Sequence, residues 1–182
     1  MFGGVRNVTV FLSSSDGGPV EVAAIQALGR ELARRELTLV YGGAHRGLMG
    51  ILADAALAVG GRVIGVIPQA LVDLEVAHTG LTELHIVETM HQRKALMFAL
   101  ADAFIVAPGG FGTLEEAFEQ LTGLQLGYHK KPMVFLDVDS FWQPLEAFFD
   151  HAVRAGVLLP DVRALFRTAS SADAALDALV AW

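Results

Sequence analysis

The segment Pro108-Gly109-Gly110-Phe111-Gly112-Thr113-Leu114-Glu115-Glu116 combines glycines, a hydroxyl and two carboxylates where a strand gives way to a helix. Backbone N–H groups converge at such a helix start, and the dipole adds about half a positive charge. This suits an anion such as a phosphate monoester, and Thr113 can add its hydroxyl. Two carboxylates beside an anion site need a reason, because they repel phosphate. One reading makes Thr113 the N-cap of the helix and Glu116 the N3 residue of a capping box. The sharper reading turns Glu116 towards a sugar, where it would favour positive charge developing on a ribose.

A second group is Met90-His91-Gln92-Arg93-Lys94, in the first turns of another expected helix. Two cations there oppose the dipole unless an anion sits nearby. Arg offers a planar fork for phosphate or carboxylate, and Lys a point charge. An ordinary solvated pair is the plainer alternative. The third group is Gly42-Gly43-Ala44-His45-Arg46-Gly47-Leu48-Met49-Gly50, again between a strand and a helix. It matches neither the dinucleotide fingerprint nor a P-loop. A phosphate cradle and a turn with close helix–sheet packing both fit it. Ser13-Ser14-Ser15 reads as a polar loop offering hydroxyls to a phosphate or ribose. The six histidines show no metal-binding spacing, and no G-x-S-x-G elbow supports a serine nucleophile.

Strand and helix alternate throughout the chain, and this alternation must position those groups. Apolar runs predict strands at 5–12, 37–41, 63–67, 84–87, 103–107 and 132–136. Helical spacing and capping residues predict helices starting at Pro19 and near Leu48, with Thr89 capping a helix to about Ala101. Thr113 is expected to cap the next, to about Leu126. Two more are expected at 140–155 and 171–181. The pattern implies an α/β fold, a three-layer doubly wound parallel sheet of about six to seven strands. Ligands bind such sheets beyond the carboxyl ends of the strands. The chemistry is therefore expected in the loops just after strands, at 13–18, 42–50, 68–80, 88–94 and 108–116. Residues 68–83 form the least regular stretch.

Composition narrows the classes. At 182 residues, 1–182 is expected to be a single domain. Thirteen Lys+Arg against 20 Asp+Glu give a net charge of −7, which argues against nucleic acid as a partner. The absence of Cys excludes disulfides and thiolate chemistry. The 53% hydrophobic content raises a membrane question, but charges and Gly/Pro break every apolar run short of about 20 residues. Continuous apolar strands are better explained by a sheet buried on both faces. No secretory leader pattern is visible, and a cytoplasmic location is expected.

Taken together, these residues resemble a known family. The segment 108–116 is similar to the PGGxGTxxE signature of the LOG (Lonely Guy) proteins. These are cytokinin riboside 5′-monophosphate phosphoribohydrolases, once widely labelled lysine decarboxylases. Tyr41-Gly42-Gly43 with Gly47-Leu48-Met49-Gly50 resembles the family's second glycine loop. The segments 63–68, 75–82, 90–97 and 125–127 fit as well, as does Lys131-Pro132. The resemblance implies a modified Rossmann fold and a homodimer. It implies hydrolysis of the N-glycosidic bond of a nucleoside 5′-monophosphate, giving a free base and ribose 5-phosphate, with no cofactor and no metal. Carried over by position, Arg93 and Glu116 match the family's essential pair. Glu75, Lys94, Gly109, Gly110, Phe111, Gly112, Thr113, Leu114, Glu115 and Thr122 are expected to contact substrate, as are Gly43 and Ser13. The chain departs from the pattern at Ala44, which replaces a third glycine, and at Leu12-Ser13, where Cys-Gly is usual. Gly123 stands where many relatives have Trp. The loss of that ring bears on base preference more than on the reaction.

The implied mechanism assigns each group a task. Breaking a ribosyl–base bond builds oxocarbenium character on the sugar. A carboxylate stabilises that charge or orients water, a role expected of Glu116 with Glu115 as second candidate. Adjacent helical carboxylates diverge by about 100°, so they do not flank one bond as paired glycosidase acids do. Arg93, whose guanidinium is a poor proton donor, is expected to position phosphate or ribose electrostatically. Two other classes compete: a nucleotide or molybdenum-cofactor carrier without hydrolase activity, and a broader purine nucleotide nucleosidase acting on AMP.

Overall fold

The alternating apolar runs become one parallel sheet. The computed structural model describes residues 4–74 and 76–182. The strands are β1 (Asn7–Phe11), β2 (Thr38–Tyr41), β3 (Val63–Pro68), β4 (Glu83–Val87), β5 (Ala103–Val106), β6 (Met133–Leu136) and β7 (Arg167–Ala169). Their order is β4-β3-β2-β1-β5-β6-β7, and every pairing is parallel. The chain builds outward from β1 to β4, then returns to the centre to lay β5 beside β1. That reversal is the switch point where a doubly wound sheet leaves a crevice.

The helices are α1 (Pro19–Arg34), α2 (Gly47–Leu57), α3 (Gln69–Val72), α4 (Met90–Leu100), α5 (Phe111–Gln125), α6 (Gln143–Arg154), α7 (Pro160–Arg163) and α8 (Ala172–Val180). Period-two alternation sends strand side chains to two cores. Val8, Val10, Leu39, Tyr41, Ile105 and Val134 face the layer of α1, α2 and α8. Phe11, Val40, Phe104, Val106 and Phe135 face α4, α5 and α6. Both faces are thus apolar, which accounts for the uninterrupted hydrophobic runs. Among the described residues no helix is long and apolar enough to cross a membrane.

Several sequence expectations shift. The elements α3, α7 and β7, of three or four residues each, are too short to show a period. The helix expected from residue 140 starts at Gln143, because Asp139 and Ser140 take left-handed backbone angles (φ 49 and 62°). The start of α5 is a correction. Gly110, not Thr113, is the N-cap, so Thr113 sits at N3 and Glu116 lies one turn inside the helix. No Thr113–Glu116 capping box exists. The Gly109-Gly110 backbone lets the helix begin three residues earlier than a Thr113 cap would. Thr89, by contrast, caps α4 as expected, its Oγ1 accepting from Gln92 N–H at 3.1 Å.

The apolar faces of α4 and α5 are largely satisfied within the chain. Met97 is buried, and Leu96, Phe98, Leu114, Leu121 and Leu124 pack against the same core. Phe104 lies at its centre, stacked between Phe11 and Phe98 at 5.6 and 6.2 Å. Truncating a fully buried ring of this kind costs about 3–5 kcal/mol. Phe104→Ala should lose that much in urea unfolding; a loss below about 1 kcal/mol would mean this layer is not packed as described.

Candidate active site

The crevice at the switch point holds a cavity of about 310 Å³. Its floor is the junction of β1 and β5, fastened by Ser13 N–H to Pro108 O at 3.1 Å. Ser13, Ser14 and Ser15 form one wall, and Gly110, Phe111, Gly112 and Thr113 form the facing one. Glu115 and Glu116 lie on the α5 side, while Met90 and Arg93 come from α4. The first amides of a helix have no intrahelical partner. In α5 these belong to the glycine-rich turn that lines the cavity, so backbone N–H donors of the kind an anion uses border it.

Gly109 carries no side chain for a steric reason. A Cβ there would stand 2.0 Å from Thr113 Oγ1, so the turn closes tightly over Thr113, which is buried. Phe111, in contrast, is 95% exposed and rims the cavity. Solvent exposure of a whole phenyl ring is costly, which makes it a candidate for contact with a bound group.

Arg93 and Glu116 are the two buried charged side chains here, each 6% exposed. Arg93 is held by the ends of two strands. Its Nε donates to Val66 O and its Nη2 to Gly42 O, both at 3.1 Å. Its Nη1 approaches Met90 Sδ at 3.8 Å. Burial lowers the guanidinium pKa, and the Glu116 charge opposes that fall. The carbonyl partners satisfy part of the fork and leave donors for a ligand, since a guanidinium has five.

Glu116 responds to burial in the opposite sense. Desolvation pushes its carboxyl up to about 7, against the pull of Arg93. Lys94 pulls the same way as Arg93, while Glu115 and Glu119 push it up further. A carboxyl with this pKa exchanges protons near neutral pH, as acid–base catalysis requires. Glu115 is a different case. It is exposed and hydrogen-bonded to Lys94, whose Nζ also lies 3.4 Å from Glu119. Those bonds raise the Lys94 pKa, chiefly through Glu115. Lys94 therefore neutralises the second carboxylate at the cavity mouth.

The remaining expected contacts spread out. Gly43 turns away, with φ +75° and its α-carbon against β3 and β4 rather than the cavity. Leu114 packs into the core under α5. Thr122 is exposed on the outer face of α5, in a groove with Phe118 and Phe149. Glu75 lies outside the described residues. Sequence reasoning did not single out the strand-end carbonyls of Gly42 and Val66, or the two methionines, Met49 and Met90, that line the cavity. Only Met90 left a signal, three residues before Arg93 on one helix face. Among the described residues no three His, Asp or Glu side chains converge as a metal ion would need.

A curated cytokinin riboside 5′-monophosphate phosphoribohydrolase of Rhodococcoides fascians is 47% identical over 176 residues, spanning 96% of this chain and 89% of its own. The rice phosphoribohydrolase LOG is 44% identical over 92% of this chain and 69% of its own length. The chain belongs to the LOG family. A family model described as "Possible lysine decarboxylase" also matches residues 49–179. That description is a legacy of the family's earlier labelling, since the curated LOG relatives carry the hydrolase name. Among solved structures, the molybdenum cofactor carrier protein of Chlamydomonas reinhardtii aligns with a TM-score of 0.73 over 98% of this chain and 99% of its own, at 20% identity. A molybdenum cofactor binding protein from Rippkaea orientalis gives 0.72 at 20% identity, covering 95% of this chain and 94% of that one. At that identity the likeness is one of Rossmann-like fold.

Two outcomes follow from this LOG-family site. A Cβ on Gly42 would stand 1.8 Å from Arg93 Nη2, so Gly42→Ala should evict the guanidinium from its carbonyls. The variant should lose turnover by at least about tenfold while its circular dichroism stays native; unchanged turnover would show that the carbonyl seat is dispensable. Glu116 also links stability to pH. Its folded pKa of about 7 lies above the ordinary value of 4.5, so its contribution is present at low pH and lost as pH rises through 7. Relative to wild type, Glu116→Gln should gain stability between pH 5 and 8, by up to about 3 kcal/mol in denaturant titrations. A difference independent of pH would contradict the raised pKa.

Proposed function

We propose that this cavity binds a nucleoside 5′-monophosphate and hydrolyses its N-glycosidic bond. The buried Glu116, held near half-ionisation beside Arg93 and one turn from the anion-binding end of α5, carries the proposal. The names of the LOG relatives support cytokinin riboside 5′-monophosphates as the substrate class, with AMP as a second candidate.

The phosphate sits at the amides of Gly110, Phe111, Gly112 and Thr113, with the hydroxyls of Ser13 to Ser15 opposite. This grip on a non-reacting group orients the sugar. The ribose then lies one helical turn along α5, at Glu116. Water adds to C1′ as the C1′–N bond breaks, and the electron pair of that bond leaves with the base. Ionised Glu116 stabilises the positive charge growing on the ribose and accepts the proton released by the water. A proton returns to the base nitrogen, so the products are neutral base and ribose 5-phosphate. Arg93 keeps its charge and offers its free N–H groups to the phosphate or ribose. Lys94 keeps Glu115 from repelling the phosphate. No step calls on a metal or cofactor. Glu75 stays a proposed substrate contact on the family resemblance alone, whereas Thr122 lies in the separate groove with Phe118 and Phe149 and not in this cavity. A cytoplasmic homodimer of single-domain subunits is part of the same reading, and the exposed Phe118, Leu126 and Tyr128 along the outer side of α5 suit a subunit contact.

A molybdenum cofactor carrier shares this fold, but a carrier has no use for a half-ionised buried carboxyl aimed into the anion cavity. The test is to incubate the protein with isopentenyladenosine monophosphate, AMP, GMP and the parent nucleosides, and to quantify free base. Base should appear from monophosphates and far more slowly from nucleosides. Release from nucleosides at equal rate would remove the phosphate grip from the account, and no release from any substrate would favour the carrier. Glu116→Gln should lower turnover by about 10²–10⁴-fold. In wild type, kcat/KM should rise with pH to a plateau above the Glu116 pKa of about 7. A flat profile between pH 5.5 and 8 would exclude Glu116 as the base.

A further inference from the structure

Arg93 is only as well placed as the carbonyls that hold it, and one of them belongs to a loop. Gly42 follows the last residue of β2, in a turn with no strand pairing of its own. The turn is fixed from behind by residues 76–78. Ala44 and Ala77 form an isolated antiparallel bridge. His45 N–H donates to Val76 O, and His78 N–H donates to Gly43 O, both at 2.9 Å. Tyr41 adds its hydroxyl to Ala44 O at 3.1 Å.

Residues 76–78 are held in turn by Val76 N–H, which donates to Leu71 O at 3.3 Å, by the His45 ring against Ala77 O at 3.3 Å, and by the side chain of His78. His78 is 9% exposed and polar, and it does not line the cavity. Its Nδ1 accepts from Gly80 N–H at 3.0 Å, which leaves the proton on Nε2. That Nε2–H donates to Asp54 Oδ1 at 3.0 Å, on α2. The ring thus closes its own loop and anchors it to a helix of the opposite layer. The chain of contacts runs from Asp54 through His78 to the backbone at Gly43, and then to Gly42 O and Arg93 Nη2. Nothing else in the mechanism uses this buried histidine.

We infer that His78, clamped by Asp54, is a positioning residue that sets the carbonyl seat of Arg93 from outside the active site. The inference rests on the role proposed for Arg93 above. Losing the clamp lets the Gly42-Gly43 turn relax. Arg93 then loses its aim at the substrate and its proximity to Glu116. The effect falls on turnover more than on substrate capture, because the amides of α5 still grip the phosphate.

The experiment compares His78→Leu, Asp54→Ala, Asp54→Asn and Arg93→Ala with wild type on a monophosphate substrate. Asp54 is largely exposed, so its variants should fold even where His78→Leu does not. His78→Leu and Asp54→Ala should each lower kcat about tenfold or more, with KM changed by less than about threefold. The acidic limb of kcat/KM should move up in both. Of the groups that face Glu116, Arg93 and Lys94 pull its pKa down while Glu115 and Glu119 push it up, and only Arg93 hangs on this clamp. Asp54→Asn keeps an oxygen for Nε2–H and should remain near wild type. The inference is overturned if His78→Leu and Asp54→Ala lower the melting temperature alone, with kcat and the pH limb unchanged. It is equally overturned if Asp54→Asn is as impaired as Asp54→Ala. An active Arg93→Ala would instead sink the reading of the site, whereas an inactive Arg93→Ala beside active clamp variants would sink the clamp alone.

Discussion

Two opposite charges taken out of water at the carboxyl end of a parallel sheet must each find compensation. A guanidinium cannot shed its charge, so Arg93 needs acceptors, and it finds them where β2 and β3 end: Gly42 O and Val66 O. A carboxyl can shed its charge, so Glu116 answers burial by moving its pKa to about 7. The asymmetry converts a costly burial into a proton exchanger beside a fixed cation. Much of the surrounding architecture serves this. Gly42 must lack a side chain, because a Cβ would occupy the place of Arg93 Nη2. Lys94 must pair with Glu115, or three unbalanced carboxylates would crowd one end of α5.

The topology brings the parts together. The returns from β1 and β5 diverge at the switch point and open a space between Ser13–Ser15 and the start of α5. Because α4 crosses from the outer strand β4 back to central β5, its first turns pass over the ends of β2 and β3. Arg93 therefore reaches carbonyls that lie far from it in sequence. Thr9 fixes this crossing from within, its hydroxyl donating to Met97 O at 3.2 Å across the core. The start of α5, where the proposed phosphate would be held, then borders the same cavity as the cation and the carboxyl. The fold is shared with molybdenum cofactor carriers, whereas the buried pair is a matter of particular side chains.

Much of this was legible in the sequence. Apolar runs broken by Gly and Pro marked six of the strands, and their lack of polar alternation announced a sheet covered on both faces. Thr89 and Pro19 marked helix starts because their chemistry is local. The start of α5 was misread for an instructive reason. Thr113 looks like a cap, but the glycines before it let the backbone enter the helix earlier, and this carried Glu116 from a capping position to a buried one. Strand β7 escaped because three residues, two of them exposed, have no detectable period. The partners of Arg93 escaped because they are backbone atoms, which carry no residue type. His78 and Asp54 are 24 residues apart, and nothing in their spacing joins them until the loop folds back.

The central claim is that burial beside Arg93 brings Glu116 to neutral pH. It is tested most directly by carbon NMR of the protein labelled at the Glu side-chain carboxyls, titrated from pH 4 to 9, with Glu116→Gln to assign the resonance. The account predicts one Glu carboxyl titrating near 7, absent from the Glu116→Gln spectrum and shifted upward in Arg93→Met. A Glu116 resonance that titrates at its ordinary value near 4.5, or one indifferent to Arg93, would contradict it.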